Sequence, residues 1–224
     1  MFDSIAGNYD RLNHILSLDI DKSWRKKAVR GIVVKDVPLK ILDVASGTGD
    51  FAMGIARDSA PGSLITGTDI SEGMLAIGRE KVKAAGLDDR IRLEYGDCEQ
   101  LEYPACGFDR VSVAFGVRNF EHLEKGLSEM CRVLKPGGKS VILELSVPGN
   151  PILKSVYKLY FLHVLPLIGG LVSGDRAAYR YLPASVLKFP SPEKVCSMMR
   201  SAGFSEVRTK ALTFGICRMF VGIK

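Results

Sequence analysis

Residues 41–52 read ILDVASGTGDFA, an apolar run that leads into a glycine-containing turn. The segment Gly47–Ala52 satisfies the loose pattern G-x-G-x-x-G/A, which between a strand and a helix is typical of dinucleotide binding. However, Asp50 stands where the helix should begin, and a pyrophosphate would need that positive helix end for itself. Because a carboxylate repels a dianion, the loop favours a cationic or zwitterionic ligand.

The segments around this loop alternate short apolar runs with longer helical patterns, which is typical of βαβ units and a parallel sheet. Ser71 and Gly86 are the predicted N-cap and C-cap of one helix, and Pro136-Gly137-Gly138 predicts a turn. The predicted strands are Leu39–Ala45, Ser63–Ile70, Arg90–Asp97, Phe108–Phe115 and Ser140–Ser146, and the predicted helices are Asp50–Asp58, Glu72–Ala85 and Glu121–Leu134.

The last part of the chain departs from this rhythm. After a predicted helix at Pro192–Ala202, two strand-like runs, Glu206–Leu212 and Cys217–Ile223, are separated by only a few residues. Parallel strands need a crossover of about a dozen residues, so these two should form an antiparallel hairpin. We therefore predict an α/β, Rossmann-like fold with a mostly parallel sheet that ends in an antiparallel hairpin.

The length of 224 residues predicts a single domain, 1–224. Within it, residues 1–38 should be a helical lead-in or lid and 39–146 the cofactor-binding core. Residues 147–190 should be an apolar helical insertion that faces the substrate or a membrane, and 191–224 the C-terminal helix and hairpin.

Composition excludes several classes of protein. The formal charge of +6 is concentrated in residues 176–224 and in the cluster at Lys22, Arg25, Lys26, Lys27 and Arg30. Such patches suit anionic partners, but each patch alone more often indicates a solvated helix face. No nucleic acid partner is expected, because no RNA-binding motif accompanies this charge. Five cysteines without a C-x-x-C pair indicate reduced thiols in a cytoplasmic protein, and three scattered histidines predict no metal site.

The most apolar stretch is Tyr157–Val172, YKLYFLHVLPLIGGLV. It is shorter than the roughly 20 residues of a membrane span, and Pro166 and a glycine pair interrupt it. The stretch predicts either a helix that lies in a membrane interface, which would make the protein peripheral to the inner face of the cytoplasmic membrane, or a core helix packed on the sheet.

Acidic residues end three successive predicted strands. Asp43 could face an amino group, Asp69 could accept hydrogen bonds from both ribose hydroxyls, and Asp97, with the amide of Cys98, could bind adenine. Together they fit S-adenosylmethionine, which carries adenosine, a sulfonium and an amino-acid end but no phosphate. The alternative for each aspartate alone is a turn or helix cap. The predicted cofactor-binding residues are Asp43, Gly47, Thr48, Gly49, Asp69, Ile70, Asp97 and Cys98.

Several motifs resemble one family, the menaquinone/ubiquinone biosynthesis C-methyltransferases. They are DVASGTGD (43–50), GTDISEGML (67–75), FGVRN (115–119), RVLKPGGKSVILELS (132–146), and the N-terminal YDRLNHILSLDIDKSW (9–24). The tracts FLHVLPLIGGLV and YRYLPASV are also similar. The resemblance implies a class I S-adenosylmethionine-dependent methyltransferase fold and adds Ala114, where relatives carry serine, to the residues near the cofactor.

The resemblance also implies the reaction: methyl transfer to a ring carbon of a prenylated hydroquinone, above all demethylmenaquinol to menaquinol. Arg118 would stabilise the phenolate form, Asn119 would hold a ring oxygen or a water, and His163 is a candidate general base. The alternatives are that Arg118 caps a sheet end or pairs with Glu121, and that His163 is a packing residue. Tyr9 would lie over the cofactor or pack in the core.

Other readings stay open at this point. The methyl acceptor could be the methoxybenzoquinol intermediate of ubiquinone synthesis, an RNA or another small molecule, or the fold could bind cofactor without activity. An NAD-linked oxidoreductase is disfavoured by Asp50 and by the terminal hairpin. Ala45, Asp21 and Leu12 depart from the family pattern, and His14 and His122 are read as surface or capping residues. Met1 lies unusually close to the family's Phe2–Ala6 motif, which raises the question of an upstream segment.

Overall fold

The structure is a computed structural model, and it describes Ser17, residues 19–164 and residues 176–224. Short 3₁₀ turns lie at Val117–Asn119 and Thr213–Gly215, and a π-helical turn lies at Tyr160–Val164. The helices are α1 (Ile20–Ile32), α2 (Asp50–Asp58), α3 (Glu72–Ala84), α4 (Leu123–Val133), α5 (Pro151–Leu159), α6 (Arg176–Lys188) and α7 (Pro192–Ser201). The strands are β1 (Lys40–Val44), β2 (Leu64–Asp69), β3 (Ile91–Tyr95), β4 (Phe108–Ala114), β5 (Leu134–Leu145), β6 (Glu206–Leu212) and β7 (Cys217–Ile223).

The strands form one seven-stranded sheet in the order β3-β2-β1-β4-β5-β7-β6. Strands β1 to β5 are parallel, whereas β7 runs antiparallel to both β5 and β6. The predicted parallel sheet with a terminal hairpin is confirmed. The chain order reverses between β1 and β4, and a crevice opens beyond the carboxyl ends of strands at such a reversal.

Apolar side chains alternate between the two faces of the sheet, as the period of a strand requires. Ile41 packs in a cluster with α1, α2 and α3, whereas its neighbour Leu42 packs in a second cluster with α4 and α7. Both side chains are fully buried. The sheet is therefore the middle of three layers, and helices cover each face.

The sequence signals for element ends agree closely with the structure. Ser71 caps α3 by accepting a hydrogen bond from the Met74 amide, and Gly86 follows the helix with a φ of 63°. At Pro136-Gly137-Gly138 the predicted turn is part of an irregular β5, which already begins at Leu134. The register with β4 breaks there, and Gly137 takes a φ of 72°.

The described part of residues 147–190 packs against Leu145, at the end of β5, and Ile216. Tyr157, Phe161 and Val186 form a small buried cluster of their own. None of the described helices is long and apolar enough to cross a membrane. Some predictions concern parts of the chain outside the described residues. They are those for Tyr9, Leu12, His14, the side chain of His163 and the end of the 157–172 tract.

Candidate cofactor and acceptor site

The loop that follows β1 depends on left-handed backbone conformations. Ala45, Gly47 and Gly49 have φ values of 50°, 55° and 76°, and Gly49 is the residue before α2. This conformation is available to glycine without penalty but costs an alanine about 1–2 kcal/mol. The space beside Ala45 is provided by Gly116, because a Cβ at that position would lie 2.6 Å from the Ala45 Cβ.

Asp69 fixes this loop against β2. One carboxylate oxygen accepts the Gly47 amide at 2.8 Å, and the other accepts the Ser71 amide at 2.9 Å. The carboxylate therefore holds the loop in place at the carboxyl end of β2, on the wall of the cavity described below.

Asp43 is a buried carboxylate at the end of β1, with 1% of its surface exposed. It accepts hydrogen bonds from the hydroxyls of Ser112, at 2.7 Å, and Ser46, at 3.0 Å. Burial raises its pKa to about 6, although these hydrogen bonds and the charge of Arg25 oppose the shift. At neutral pH the carboxylate is ionised and hydrogen-bonded to neutral hydroxyls, an arrangement that suits a cationic ligand.

A cavity lies directly over this loop, at the carboxyl ends of β1, β2 and β4. Asp50, at the first turn of α2, ion-pairs with Lys81, so the helix end already has its own carboxylate. The cavity is lined by Arg25, Asp43, Ala45, Ser46, Gly47, Thr48, Asp50, Phe51, Asp69, Ile70, Met74, Gly96, Cys98, Ala114, Phe115, Gly116, Asn119 and Phe120.

Eight of the nine predicted cofactor residues contribute to this cavity or to the glycine turn beneath it. Ile70 is 61% exposed and offers an apolar surface at the rim. Cys98 lines the cavity, and burial raises its pKa to about 12, so the thiol stays protonated. The ninth residue, Asp97, lies outside the lining, and its carboxylate accepts the amide of Glu99 at 2.8 Å. This hydrogen bond makes Asp97 a turn cap, which is the predicted alternative to a cofactor contact for each aspartate.

Arg25 is a cavity residue that the sequence interpretation assigned to a basic patch. It projects from α1, its guanidinium carbon lies 5.1 Å from the centre of the Phe115 ring, and its Nε lies 3.4 Å from Asp21. The helical spacing contained a signal, because Arg25 follows the buried Asp21 by four residues and the buried Trp24 by one. The edge of the buried face of an amphipathic helix is where a cation can reach a site.

Arg118 is buried just beyond β4, and its partner is Glu144 of β5. Its Nη1 lies 2.7 Å from one oxygen of Glu144 and also donates to the Phe115 carbonyl, while its amide donates to the other Glu144 oxygen at 3.1 Å. The side chains are 6% and 0% exposed. Arg118 therefore forms its ion pair with Glu144 and not with Glu121. Glu144 belongs to β5, so Arg118 does contact a strand end, which was one of the predicted alternatives.

Asn119 lines the cavity next to Arg118. Its Oδ1 accepts a hydrogen bond of 3.0 Å from the hydroxyl of Tyr181 on α6, a residue that the sequence interpretation did not select. This bond orients the amide so that its N–H₂ group remains to donate to a ligand. His122 is 65% exposed in its side chain and contacts Glu99 through both its amide and its ring, consistent with a surface or capping residue.

No group of three or more potential ligands for a metal ion occurs in the part of the chain that the structure describes. The cavity thus combines a buried anion, a neighbouring cation and a second carboxylate, Asp69, at the position that was predicted to bind ribose. These groups match the ammonium, carboxylate and ribose of S-adenosylmethionine better than they match a pyrophosphate.

Comparison with known proteins gives the same class. A model of the ubiE/COQ5 methyltransferase family matches residues 1–224. The chain is 49% identical over 224 residues to a demethylmenaquinone methyltransferase of Bacteroides fragilis, covering 100% of this chain and 91% of that relative. It is 48% identical to the ubiquinone/menaquinone biosynthesis C-methyltransferase UbiE of Geobacter sulfurreducens, covering 100% of this chain and 87% of the relative.

Solved structures share the fold at lower identity. A SAM-dependent methyltransferase from Aquifex aeolicus superposes with a TM-score of 0.62 at 18% identity and covers 89% of this chain and 88% of its own. Phosphoethanolamine N-methyltransferase 2 of Haemonchus contortus, in complex with S-adenosyl-L-methionine, gives a TM-score of 0.67 at 16% identity, over 89% of this chain and 52% of its own. At these identities the likeness establishes the fold alone.

Proposed function

The chain belongs to the ubiE/COQ5 methyltransferase family, and from this premise we propose that it converts demethylmenaquinol to menaquinol. It is an S-adenosylmethionine-dependent methyltransferase, and the methyl acceptor is a ring carbon of a prenylated hydroquinone. The observation that carries the proposal is the full-length match, at 49–50% identity, to relatives named demethylmenaquinone methyltransferases.

S-adenosylmethionine, when bound, supplies an electrophilic methyl group. Three residues of the cavity would hold it: Asp43 would accept from its ammonium, Asp69 from its ribose hydroxyls, and Arg25 would donate to its carboxylate. Charged hydrogen bonds of this kind contribute about 1.5–3 kcal/mol each. Two further residues of the cavity, Ile70 and Cys98, would border the adenine.

Arg118 and Asn119 would act on the quinol. A hydroquinone hydroxyl resembles that of tyrosine, with a pKa of about 10, and the ring carbon becomes a good nucleophile only when this proton is lost. The Asn119 N–H₂ group would donate to the ring oxygen, and the Arg118 guanidinium would favour its anionic form. The pairing of Arg118 with Glu144 reduces the net charge that the oxygen experiences, so the effect is that of an oriented ion pair. His163 remains the candidate base.

A peripheral contact with a membrane would bring the enzyme to its lipid-soluble substrate. Ile152, Val156 and Leu159 are 74%, 61% and 62% exposed and repeat at intervals of four and three residues, so they form one apolar stripe along α5. The opposite side of the helix buries Tyr157 against the protein. Of the predicted 157–172 tract, Leu159 belongs to this stripe and Tyr157 to the packed side. The exposed stripe supports interfacial binding.

The reaction is tested with purified protein, methyl-labelled S-adenosylmethionine and either demethylmenaquinol or the methoxybenzoquinol precursor of ubiquinone. Labelled menaquinol is expected, and label transferred to neither quinol would overturn the proposal. Preferential labelling of the benzoquinol would favour the ubiquinone precursor as the substrate. The name of the Geobacter relative, which includes ubiquinone biosynthesis, supports this second candidate.

The membrane contact is tested by co-sedimentation with vesicles that contain anionic lipid. Val156→Ser combined with Leu159→Ser is expected to weaken sedimentation, because apolar area no longer enters the interface. Leu64→Ser is the control, since Leu64 is 48% exposed at the start of β2, at the end of the sheet away from the cofactor cavity. Equal sedimentation of the double variant and the control would count against interfacial binding.

A further inference from the structure

A second cavity lies beside the cofactor cavity and has no role in the site described so far. It has a volume of about 380 Å³ and opens between the 3₁₀ turn after β4, the end of α6 and α7. We refer to it as the α6 groove. Its lining consists of Val117, Arg118, Phe120, Glu121, Leu123, Tyr181, Ala184, Ser185, Lys188, Phe189, Pro190 and Met198.

The α6 groove meets the cofactor cavity at a shared wall. Phe120 lines both spaces. Asn119 lines the cofactor cavity, and its amide is hydrogen-bonded to Tyr181, which lines the groove. Arg118 also lines the groove. A ring that is held by Arg118 and Asn119 therefore lies next to the entrance of the groove.

The lining of the groove is mainly apolar. Phe120, Leu123, Phe189 and Met198 are partly buried, whereas Glu121 and Lys188 are exposed to solvent. The third charged lining residue, Arg118, is buried and paired with Glu144. Small-ligand sites typically have volumes of about 300–1,000 Å³ and apolar walls with few polar groups. The groove is consistent with an uncharged, branched hydrocarbon segment, but it is too small for a whole polyprenyl chain.

We propose that the α6 groove binds the first isoprene units of the substrate's prenyl chain. This inference rests on the proposed function. In demethylmenaquinol the prenyl chain is attached to the carbon adjacent to the one that is methylated, so the chain must leave the reaction site immediately beside it. The groove is an apolar exit at that place.

The test fills the groove and compares substrates that differ only in the chain. Ala184→Phe adds a ring to the wall of the groove, and Leu187→Phe adds the same ring to α6 at a residue that does not line it. With a naphthoquinol that carries four isoprene units, Ala184→Phe is expected to lower kcat/KM about tenfold or more, as the loss of one or two apolar contacts does. With the naphthoquinol that has no chain, the change should be small, and Leu187→Phe should affect neither substrate.

Equal losses of kcat/KM on both quinols would overturn the proposal, because the substitution would then act on the ring or on the fold. The absence of any loss would also overturn it. Farnesol, an isoprenoid alcohol, provides a test that does not require turnover. Calorimetry should detect farnesol binding to the wild-type chain and about tenfold weaker binding to Ala184→Phe. If no quinol is methylated but this difference is found, the proposed function fails and the groove assignment stands. Ala184→Leu replaces the larger variant if that variant does not fold, with the same expected direction.

Discussion

Replacing Asp43 by asparagine should stabilise the protein while it weakens cofactor binding. Burial raises the pKa of Asp43 from 3.8 to about 6, and a shift of about two pKa units corresponds to about 3 kcal/mol. That is the free energy by which ionisation of this carboxylate disfavours the folded state near neutral pH. Asparagine has nearly the same shape, can accept from Ser112 and can donate to the Ser46 hydroxyl, so it avoids the charge and keeps both hydrogen bonds.

The effect should depend on pH in a definite direction. Between about pH 4 and pH 6 the unfolded chain has lost the Asp43 proton and the folded chain keeps it. At this group the folded state therefore binds more protons, and the contribution of Asp43 to the free energy of unfolding falls as the pH rises through that window and is level above it. Asp43→Asn removes this dependence. The stabilisation should approach about 3 kcal/mol near neutral pH and should vanish near pH 4.

Urea unfolding of the cofactor-free protein at several pH values measures this difference, with Asp58→Asn, an exposed carboxylate at the end of α2, as the control. Calorimetry with S-adenosylmethionine should show that Asp43→Asn binds about ten- to a hundredfold more weakly, since a hydrogen bond to a charged group contributes about 1.5–3 kcal/mol. A loss of stability, or a gain that is the same at all pH values, would refute the reasoning. Unchanged affinity would separate Asp43 from the cofactor.

Four further variants test other parts of the protein. Arg25→Met keeps an apolar side chain near Phe115 but removes the charge, and it should weaken cofactor binding about tenfold in calorimetry, with an unchanged circular dichroism spectrum; unchanged affinity would contradict the contact. Glu144→Ala should lower the free energy of unfolding by about 3–5 kcal/mol, because Arg118 is then a buried charge without its counter-ion. The double variant Arg118→Met/Glu144→Met should fold with nearly wild-type stability and retain cofactor affinity, but it should lose most turnover. Retained turnover would refute an electrostatic role of Arg118. Tyr157→Phe removes a buried hydroxyl that has no hydrogen-bond partner among the described residues, so thermal unfolding should show unchanged or higher stability, whereas a clear loss would contradict this.

The elements of the fold were predictable because their signals are local. Ser71 caps α3 through its own side chain, and Gly86 provides the positive φ that ends the helix, so both signals are properties of the chain itself. The hairpin of β6 and β7 followed from the length of its connection. The position of Asp43 and Asp69 in one cavity was also predictable, because parallel strands bring their carboxyl ends to one edge of a sheet.

The partners of the charged residues were not predictable. Glu144 follows Arg118 by 26 residues and was read only as part of an apolar strand, yet the packing of β5 beside β4 makes it the counter-ion. Arg25 reaches the cavity only because α1 packs across α2 and β5. Such pairs depend on the tertiary arrangement of elements that are distant in sequence. The helical spacing places Arg25 at the edge of a buried face, but it does not identify the cavity that this face meets.

The distribution of charge around the cavity explains why a glycine-rich turn of the dinucleotide type serves a ligand without phosphate. Arg118 and Glu144 form a buried pair whose charges largely cancel. Asp43 is ionised at neutral pH among hydroxyl groups, and Arg25 stands across the same cavity with its nearest carboxylate at 3.4 Å. Asp43 and Arg25 are thus an anion and a cation that line the same cavity, and a zwitterionic amino acid presents the complementary pair. A pyrophosphate in the same place would gain one guanidinium but would lie beside the carboxylates of Asp43 and Asp69, and in a partly buried cavity that repulsion would exceed the gain.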